Sequence, residues 1–456
     1  MKTIKKIIAS FHKKINEFGN RKYKKFRKKA NKEIYKLLRS REIKNSNEKY
    51  ILCDALWDSP HHWLRLAIFA PVLAEHLNSK LLGIYLKGIE KDTLETFKEL
   101  KLDKYIELDV KPNQKQTKLA KKIAKDINSS EDIHNLKLPY GFPGRFFYDS
   151  ILKNEMIGTI NYKKLNINNY IANLICFLDK YNHLINCEKL GALILSHPVN
   201  FRFSTLVFLA LKNQIPVYIL NYVNEYITIR KLETLDDWLS GSFENPELHE
   251  IKKLPKNKIR YLENIGSEYI KNIRESKRGQ ISTIKTFDSS QEMKFERNKF
   301  FEKIDLDHTK LTAVVMTGCW PDFPNIYPHT FYFDYVDWFL KTLDIIKEIK
   351  NVNWIIKPHP AEFKYGSKTK TNYYLKNIKS KNIATWPKEV SSSCLLSVAD
   401  VLITSHGSAG FEYTALGKPV IITKKTNYAD WGFANFCPNY ESYKFLLSHL
   451  EKLKKP

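Results

Sequence analysis

The sequence predicts an α/β protein with two Rossmann-like lobes that follow a basic N-terminal helical arm. Two observations predict the lobes. Apolar strand-like runs alternate with helix-like runs in two separate series, and a polar, strand-poor stretch from about 223 to 300 lies between them. A third observation predicts the arm, since residues 1–42 hold sixteen Lys or Arg against three Glu, or +13 of the formal net charge of +26.

The first series begins with a helix-like run between two strand-like runs, and the pattern recurs further along the chain. Continuous apolar strands with helices between them are typical of a parallel sheet that is covered on both faces. We therefore expect a first lobe, with a helical linker, over 49–300. Its strand-like runs are YILCDALW (50–57), KLLGIYL (80–86), LGALILSH (190–197) and IPVYILNY (215–222), and its helix-like runs are HWLRLAIFAPVLAEHL (62–77) and RFSTLVFLALKN (202–213).

The second series restarts at residue 311 and predicts a second lobe over 301–438, followed by a C-terminal helix in 439–456. Gly417 is placed to end the last helix of this lobe, because glycine adopts the left-handed conformation of a C-cap without strain. The strand-like runs are LTAVVM (311–316), VNWII (352–356), NIATW (382–386), DVLIT (400–404) and PVIIT (419–423), and the helix-like runs are FYFDYVDWFLKTLDIIKEIK (331–350), SSCLLSVA (392–399) and FEYTAL (411–416).

The N-terminal segment 1–48 is predicted to be a basic amphipathic arm. Its apolar residues recur at helical spacing among cations, at Ile4, Ile7, Ile8, Phe11, Ile15 and Phe18. Anionic lipid head groups attract such a segment by about 1 kcal/mol per cation, so we expect an anionic membrane surface as a partner. A solvated basic helix is an alternative. Nucleic-acid binding through phosphates is another, but no nucleic-acid motif accompanies the charge, and no such partner is expected.

Two further features indicate where the protein is found. The sequence has no run of about 18 to 20 apolar residues and no signal-peptide pattern, so we expect a cytoplasmic protein, peripheral on the inner face of the cytoplasmic membrane. The six cysteines are scattered, without metal-ligand spacing, and are expected to be reduced.

Three unusual loops follow strands of the second lobe: TGCWPD (317–322), KPHP (357–360) and SHGSAG (405–410). Ligands of open parallel sheets bind beyond the carboxyl ends of the strands, so these loops should converge on one crevice. Hydroxyls, free backbone N–H groups and a helix start near Phe411 suit phosphate oxygens, although glycine and serine there could serve only as turn residues. The predicted binding residues are Lys357, His359, Pro360, Ser405, His406, Gly407, Ser408 and Glu412.

WIIKPHP, ADVLITSHGSAGFEYTALGKPVII and TNYADWGF together resemble bacterial capsule polysaccharide biosynthesis glycosyltransferases, including those that transfer Kdo from CMP-Kdo. They resemble CDP-glycerol glycerophosphotransferases more distantly. The resemblance covers roughly residues 311–433 and implies the two-lobed GT-B fold, with the donor nucleotide-sugar on the second lobe and a glycan or glycolipid acceptor on the first. SHGS replaces the adjacent serines frequent in related proteins, and TNYADWG replaces a PFYAGWG-type ending, so the donor sugar stays open.

Transfer of a sugar to a hydroxyl requires a base, or a nucleophile if the anomeric configuration is retained. CDALWDSPHH follows the first strand and supplies Asp54, Asp58, His61 and His62 as candidate bases facing the donor. His197 is a candidate for acceptor contact. Asp322 is the alternative nucleophile that the resemblance implies for a retaining enzyme. The resemblance implies no cofactor and no metal, because GT-B sites commonly stabilise the leaving phosphate with helix dipoles and basic side chains. The usual signature of a metal-dependent glycosyltransferase is a DxD loop, and the DLD match at 305–307 is discounted because it precedes a strand instead of following one.

Several functions are compatible with these motifs. The favoured one is a metal-independent glycosyltransferase of capsule or other surface polysaccharide biosynthesis, which the resemblance implies could use a CMP-linked, Kdo-like donor. The alternatives are a CDP-glycerol-type glycerophosphotransferase, a sugar-nucleotide epimerase of GT-B-like fold and a non-catalytic basic binding protein. The acceptor, the anomeric outcome and the oligomeric state are left open by the sequence.

Overall fold

The structure is a computed structural model, and it describes most of the chain beyond the arm. The described residues are 48–57, 60–98, 100, 102–223, 226–241, 248–274, 296–327, 331–360, 362, 366–376, 378, 380–390, 392–426 and 428–456. The predicted arm, apart from its last residue, and Asp58 lie outside them. His61 and His62 belong to a described helix, but their side chains lie outside the description.

The first lobe contains a six-stranded sheet in the order β3-β2-β1-β4-β5-β6. β1 to β5 are parallel, and β6 is antiparallel to β5. Most residues of the central strands are buried, because helices cover both faces of the sheet. The strands are β1 (Tyr50–Ala55), β2 (Lys80–Leu86), β3 (Lys104–Leu108), β4 (Leu190–Leu195), β5 (Val217–Val223) and β6 (Tyr226–Leu232).

The helices of this part of the chain begin with the predicted apolar helix after β1. They are α1 (Pro60–His76), α2 (Lys91–Lys98), α3 (Gln114–Ala124), α4 (Ser130–His134), α5 (Gly144–Glu155), α6 (Ile167–Cys187), α7 (Phe201–Lys212), α8 (Leu235–Leu239), α9 (Leu248–Lys252) and α10 (Lys256–Arg274). α6 packs against α3 and α7. The buried Trp238 ring of α8 stacks on Phe146 of α5, with 4.1 Å between ring centroids, and so fastens the end of the lobe to its core.

The second lobe also contains a six-stranded sheet, in the order β12-β11-β10-β7-β8-β9. All of its strand pairs are parallel. Its strands are β7 (Leu311–Met316), β8 (Val352–Lys357), β9 (Ile383–Thr385), β10 (Val401–Thr404), β11 (Val420–Ile422) and β12 (Asn435–Phe436). Its helices are α11 (Arg297–Ile304), α12 (Tyr335–Ile346), α13 (Thr371–Leu375), α14 (Leu395–Val398), α15 (Ser408–Ala415) and α16 (Tyr440–Ser448), followed by a 3₁₀ turn (Leu450–Lys452).

The predicted fold class is confirmed, since two Rossmann-like, mainly parallel sheets with helices give the two-lobed GT-B arrangement. The stretch from about 223 to 300, predicted to be strand-poor, contains one strand among its described residues, β6. This strand pairs antiparallel with β5 directly after a short connection, and hairpin pairing does not require an apolar run. Among the described helices, none combines the length and apolarity needed to cross a membrane.

α5 of the first lobe provides buried contacts with the second lobe. The Tyr148 hydroxyl donates to the Asp334 carboxylate over 2.5 Å. The backbone N–H and side-chain amide of Asn325 donate to the two carboxylate oxygens of Asp149 over 2.7 and 2.8 Å. Because these groups are buried, the bonds fix the position of α5 against the crevice edge of the second sheet.

Candidate functional site

The three predicted loops leave neighbouring strands of the second sheet. β7 lies between β8 and β10, so their carboxyl ends are side by side. The Thr317 N–H donates to the Lys357 carbonyl over 3.0 Å, and the His359 N–H donates to the Thr317 hydroxyl oxygen over 3.0 Å. The Thr423 N–H after β11 donates to the Ser405 carbonyl over 3.2 Å. The structure therefore brings the loops together at one edge.

The loop after β10 leads into α15, which begins at Ser408, three residues before the predicted start near Phe411. Gly407 makes the turn with φ +112°, a value that favours glycine, and no side chain caps the helix. Gly410 has a packing role as well, because a Cβ there would lie 2.0 Å from the Tyr428 hydroxyl. The first turn of α15 thus presents the positive end of a helix to the crevice.

The two serines of this loop have different environments. Ser405 is 1% exposed, and its Oγ lies 2.6 Å from the Tyr332 hydroxyl, whereas Ser408 is exposed. Between them, the His406 ring lies 3.0 Å from the Tyr335 hydroxyl, and burial lowers the pKa of His406 to about 3. His406 is therefore neutral at physiological pH, and Ser408 is the serine open to a ligand.

The KPHP loop places one cation and one histidine at the same edge. The mostly buried Lys357 has its Nζ 5.4 Å from the centroid of the Trp386 ring. Burial lowers the pKa of His359 to about 4, so its imidazole is a neutral donor or acceptor. A cavity of about 450 Å³ opens between this loop and the residues after β9, and its lining includes Pro358, Asn372, Thr385, Trp386, Pro387 and Lys388.

Glu412 lies in α15, 1% exposed. The Tyr269 hydroxyl donates to Glu412 Oε1 over 3.0 Å, and the Tyr269 ring stacks on Phe411 with 6.3 Å between centroids. Tyr269 belongs to α10, in the connection between the lobes. Glu412, predicted to accept hydrogen bonds from ribose or sugar hydroxyls, thus accepts one from Tyr269, which the sequence did not single out.

On the first lobe, Asp54 is 1% exposed at the end of β1. Ser196, after β4, donates its N–H to Asp54 Oδ1 over 2.9 Å and its hydroxyl to Oδ2 over 3.1 Å. Burial outweighs these bonds and raises the pKa of Asp54 to about 6. The carboxylate thus joins the ends of two neighbouring strands.

The other first-lobe candidates are close in sequence to these strand ends. His197 follows β4, and its ring meets the Trp57 ring edge-on at 4.7 Å between centroids. His61 and His62 lie in the first turn of α1, and Asp58 directly precedes that region. Their assignment as bases stays a prediction.

Asp322, the alternative nucleophile, lies after β7 and is exposed. Its carboxylate forms an ion pair with Lys153 of α5 over 2.7 Å, so it faces the first lobe. Its charge acts to raise the pKa of His359 and His406, but the burial of each ring has the larger effect. Asp322 is thus near both histidines of the loops.

Sequence reasoning missed Lys424, which follows β11 at the same edge. It is 0% exposed, and its Nζ lies over the rings of Tyr332 and Tyr335, 5.5 and 5.6 Å from their centroids. Burial lowers the pKa of Lys424 to about 7 and raises that of Asp149, from α5, to about 7. The available signal was the lysine pair directly after the strand-like run PVIIT.

Within the described ranges, no group of three or more His, Cys, Asp or Glu side chains is arranged to hold a metal ion.

No protein-family model matches the chain, and no curated protein is similar to it in sequence. Solved structures do match it. The β-Kdo 2,4 transferase of KpsC from Thermosulfurimonas dismutans is 18% identical, with 56% of this chain and 75% of that chain covered and a TM-score of 0.36. Its β-Kdo 2,7 transferase is 15% identical over 59% and 78%, with a TM-score of 0.32.

A UDP-GlcNAc 2-epimerase from Methanocaldococcus jannaschii, in complex with UDP-GlcNAc and UDP, is 13% identical over 90% of this chain and 95% of that chain, with a TM-score of 0.31. Kdo transferases, the class that the motifs resemble, are thus among the matches. Because each of these TM-scores is below 0.5, the function proposed below depends on the residues of the site.

Proposed function

We propose that the protein is a GT-B glycosyltransferase that uses a nucleotide-activated sugar in the synthesis of a bacterial surface polysaccharide. One observation supports this most strongly: KPHP and SHGS lie on one edge beside the uncapped start of α15. Ser408 and the first turn of α15 would bind the donor phosphate, because exposed hydroxyls and helix N-termini suit anionic oxygens. Capsule synthesis and a CMP-linked, Kdo-like donor are the specific form of this proposal.

The cavity beside KPHP is the proposed site of the nucleobase. It adjoins the loop that carries His359, and its lining combines a buried indole with polar side chains, as nucleobase pockets require. Glu412, whose Oε1 accepts a hydrogen bond from Tyr269, would also accept hydrogen bonds from ribose or sugar hydroxyls.

The base is proposed to come from the first lobe. Both oxygens of Asp54 already accept bonds from Ser196, so Asp58, His61 and His62 are favoured over it. In a retaining reaction Asp322 would attack the anomeric carbon, the nucleotide phosphate would leave, and the acceptor hydroxyl would then displace the carboxylate. The first turn of α15 would stabilise the leaving phosphate without a metal, so activity should persist in EDTA.

The test is incubation of the protein with CMP-, CDP-, UDP- and GDP-activated donors, with and without a glycan acceptor. Acceptor-dependent nucleotide release supports a transferase, and the anomeric configuration of the product, read by NMR, separates the two mechanisms. Transfer from CDP-glycerol would identify a glycerophosphotransferase instead. A changed sugar-nucleotide in the absence of acceptor would identify an epimerase. A protein that shows no thermal shift with any of these nucleotides is not an enzyme of this kind.

A further inference from the structure

The buried ammonium of Lys424 has no hydrogen-bond partner among the described residues. A buried charge without hydrogen bonds is costly unless another group compensates it. The faces of Tyr332 and Tyr335, whose centroids lie 5.5 and 5.6 Å from Nζ, supply a cation–π attraction that compensates only part of this cost. The Lys424 Nζ is therefore a buried donor whose hydrogen-bonding capacity is not used by the described residues.

Two charged groups act on Lys424, one carboxylate and one guanidinium. Asp149 is the carboxylate that acts on it, and its two oxygens already accept bonds from Asn325. Arg145, also from α5, places a second cation there, and the charge of Lys424 helps to lower the pKa of His134 and His406. Two cations thus share one carboxylate at the junction of the lobes.

A cavity lined by basic residues lies on the first-lobe side, and one of these residues is Arg145, which also acts on Lys424. The cavity, of about 510 Å³, lies along residues 134–145, and His134, Lys137 and Arg145 are among the residues that line it. The lining residues shown by the structure include no carboxylate. His134 Nε2 is buried without a hydrogen-bond partner in the described chain. An anion is the ligand that this set of donors suits.

Lys424 is also connected to the proposed donor site. Thr423, its neighbour, bonds to Ser405, and the two tyrosines beneath its ammonium contact Ser405 and His406. We propose that Lys424 binds an anionic oxygen group of the substrate, a phosphate or a carboxylate, at the junction of the two lobes. This rests on the proposed function, since the substrate is the one that the crevice binds.

The test compares Lys424→Met with Lys425→Met. Lys425 is adjacent but exposed, with its Nζ 3.3 Å from Asp430, so it controls for the loss of one positive charge. CMP supplies a phosphate, N-acetylneuraminate supplies a sugar carboxylate, and cytidine supplies neither. We expect Lys424→Met to weaken the binding of CMP or of the acidic sugar about tenfold or more, and to leave cytidine unchanged. The affected probe identifies the source of the anion.

Proton uptake gives a second readout. A bound anion favours the charged form of Lys424, so at pH 8 the parent should take up a fraction of a proton on binding, and Lys424→Met should take up less. Calorimetry in two buffers with different ionisation enthalpies measures this. The groups that face Lys424 are Asp149, Arg145, His134, His406 and the two tyrosines. Because the charge of Lys424 lowers the pKa of Asp149, the difference in proton uptake belongs to the Lys424–Asp149 pair.

Unchanged anion affinity and unchanged proton uptake in Lys424→Met would overturn the anion-binding role of Lys424. Equal weakening of anion affinity in Lys425→Met would overturn it as well. Replacing a buried charge with an apolar side chain of similar length should not unfold the protein, and circular dichroism checks this. If the parent transfers sugar and Lys424→Met binds the anionic probes normally, the proposed function is retained and the anion-binding role of Lys424 is refuted. If anion binding depends on Lys424 but no donor is turned over, the anion-binding role of Lys424 is retained and the proposed transferase function is refuted.

Discussion

The two sheets have the same winding but different carboxyl edges. If the strands of each lobe are numbered along the chain, both sheets have the same spatial order: third, second, first, fourth, fifth and sixth strand. At the carboxyl edge of the first sheet, Ser196 donates hydrogen bonds to both carboxylate oxygens of Asp54, which lies on the neighbouring strand. At the second edge, Ser408 is exposed and the Lys424 ammonium has no hydrogen-bond partner among the described residues. Topology thus gives each lobe a crevice edge, and loop residues decide which edge has groups left for a ligand.

The largest expected effect concerns the first edge. The pKa of Asp54, about 6, is above its usual value, so the folded protein keeps a proton that the unfolded chain loses between pH 4 and 6. Stability therefore falls as pH rises through this window, by about 3 kcal/mol from this group. Asp54→Asn should lack that part of the pH dependence. Urea unfolding at pH 4, 5, 6 and 7 measures the difference between the two proteins.

Parallel stability curves for the parent and Asp54→Asn would show that the carboxyl is not held in this way. Nucleotide affinity should be the same in both proteins. Turnover in the folded variant is the second measurement: a loss of turnover would return Asp54 to the role of base.

The next effect concerns the second edge. His359→Ala and Ser408→Ala should each weaken nucleotide binding about threefold to a hundredfold, the range for hydrogen bonds to neutral and charged groups. Glu412→Gln should weaken it similarly if the carboxylate accepts from a hydroxyl. The matched control is Ser196→Ala, which removes a hydroxyl from the other edge and should change stability without changing affinity. Calorimetric titration gives the affinities, and circular dichroism checks folding.

Three folded variants with the parent's nucleotide affinity would show that SHGSAGFE and KPHP serve only as turns. The difference between the two edges would then lack a functional meaning.

An effect of similar size is expected where the lobes meet. Tyr148→Phe removes the buried hydrogen bond to Asp334 and should lower the free energy of unfolding by about 1 to 3 kcal/mol. Tyr373→Phe, at a position 68% exposed, is the control and should have no effect. Thermal unfolding compares them. An unchanged melting temperature in Tyr148→Phe would mean that this contact does not hold the lobes together.

The smallest effect on catalysis is expected from the arm, which belongs to neither edge. Deleting residues 1–42 should release the protein from anionic vesicles and leave turnover of a soluble acceptor nearly unchanged, because the deletion removes cations without touching the crevice. Co-sedimentation at low and high salt measures the attachment. Attachment that persists after the deletion and resists salt would contradict an electrostatic arm.

The strands of the central sheets could be predicted because burial on both faces requires continuous apolar runs. β1 and β10 are such runs, whereas β3, KYIEL, is too polar to be recognised in this way. The start of α15 was placed three residues late because small residues such as Ser408 and Gly410 have low helix propensity, and the turn at Gly407 sets the true start.

The site was predictable to the same extent. The loops after β7, β8 and β10 could be found by position, since the ends of neighbouring parallel strands meet. The pairing of Asp149 with Asn325 could not, because it joins residues 176 positions apart on different lobes. The environment of Lys424 likewise depends on side chains from α5 and α12, and no local pattern encodes it.

The edge strands of the second sheet have a consequence for how copies of the protein meet. β9 has three residues and β12 has two, so each offers few backbone groups to a strand of another molecule. At β12, the Asn435 side chain exchanges hydrogen bonds with the backbone of Lys454, so the C-terminal segment covers that border. We therefore expect the second lobe to resist edge-to-edge aggregation, even though its sheet is built from strongly apolar strands.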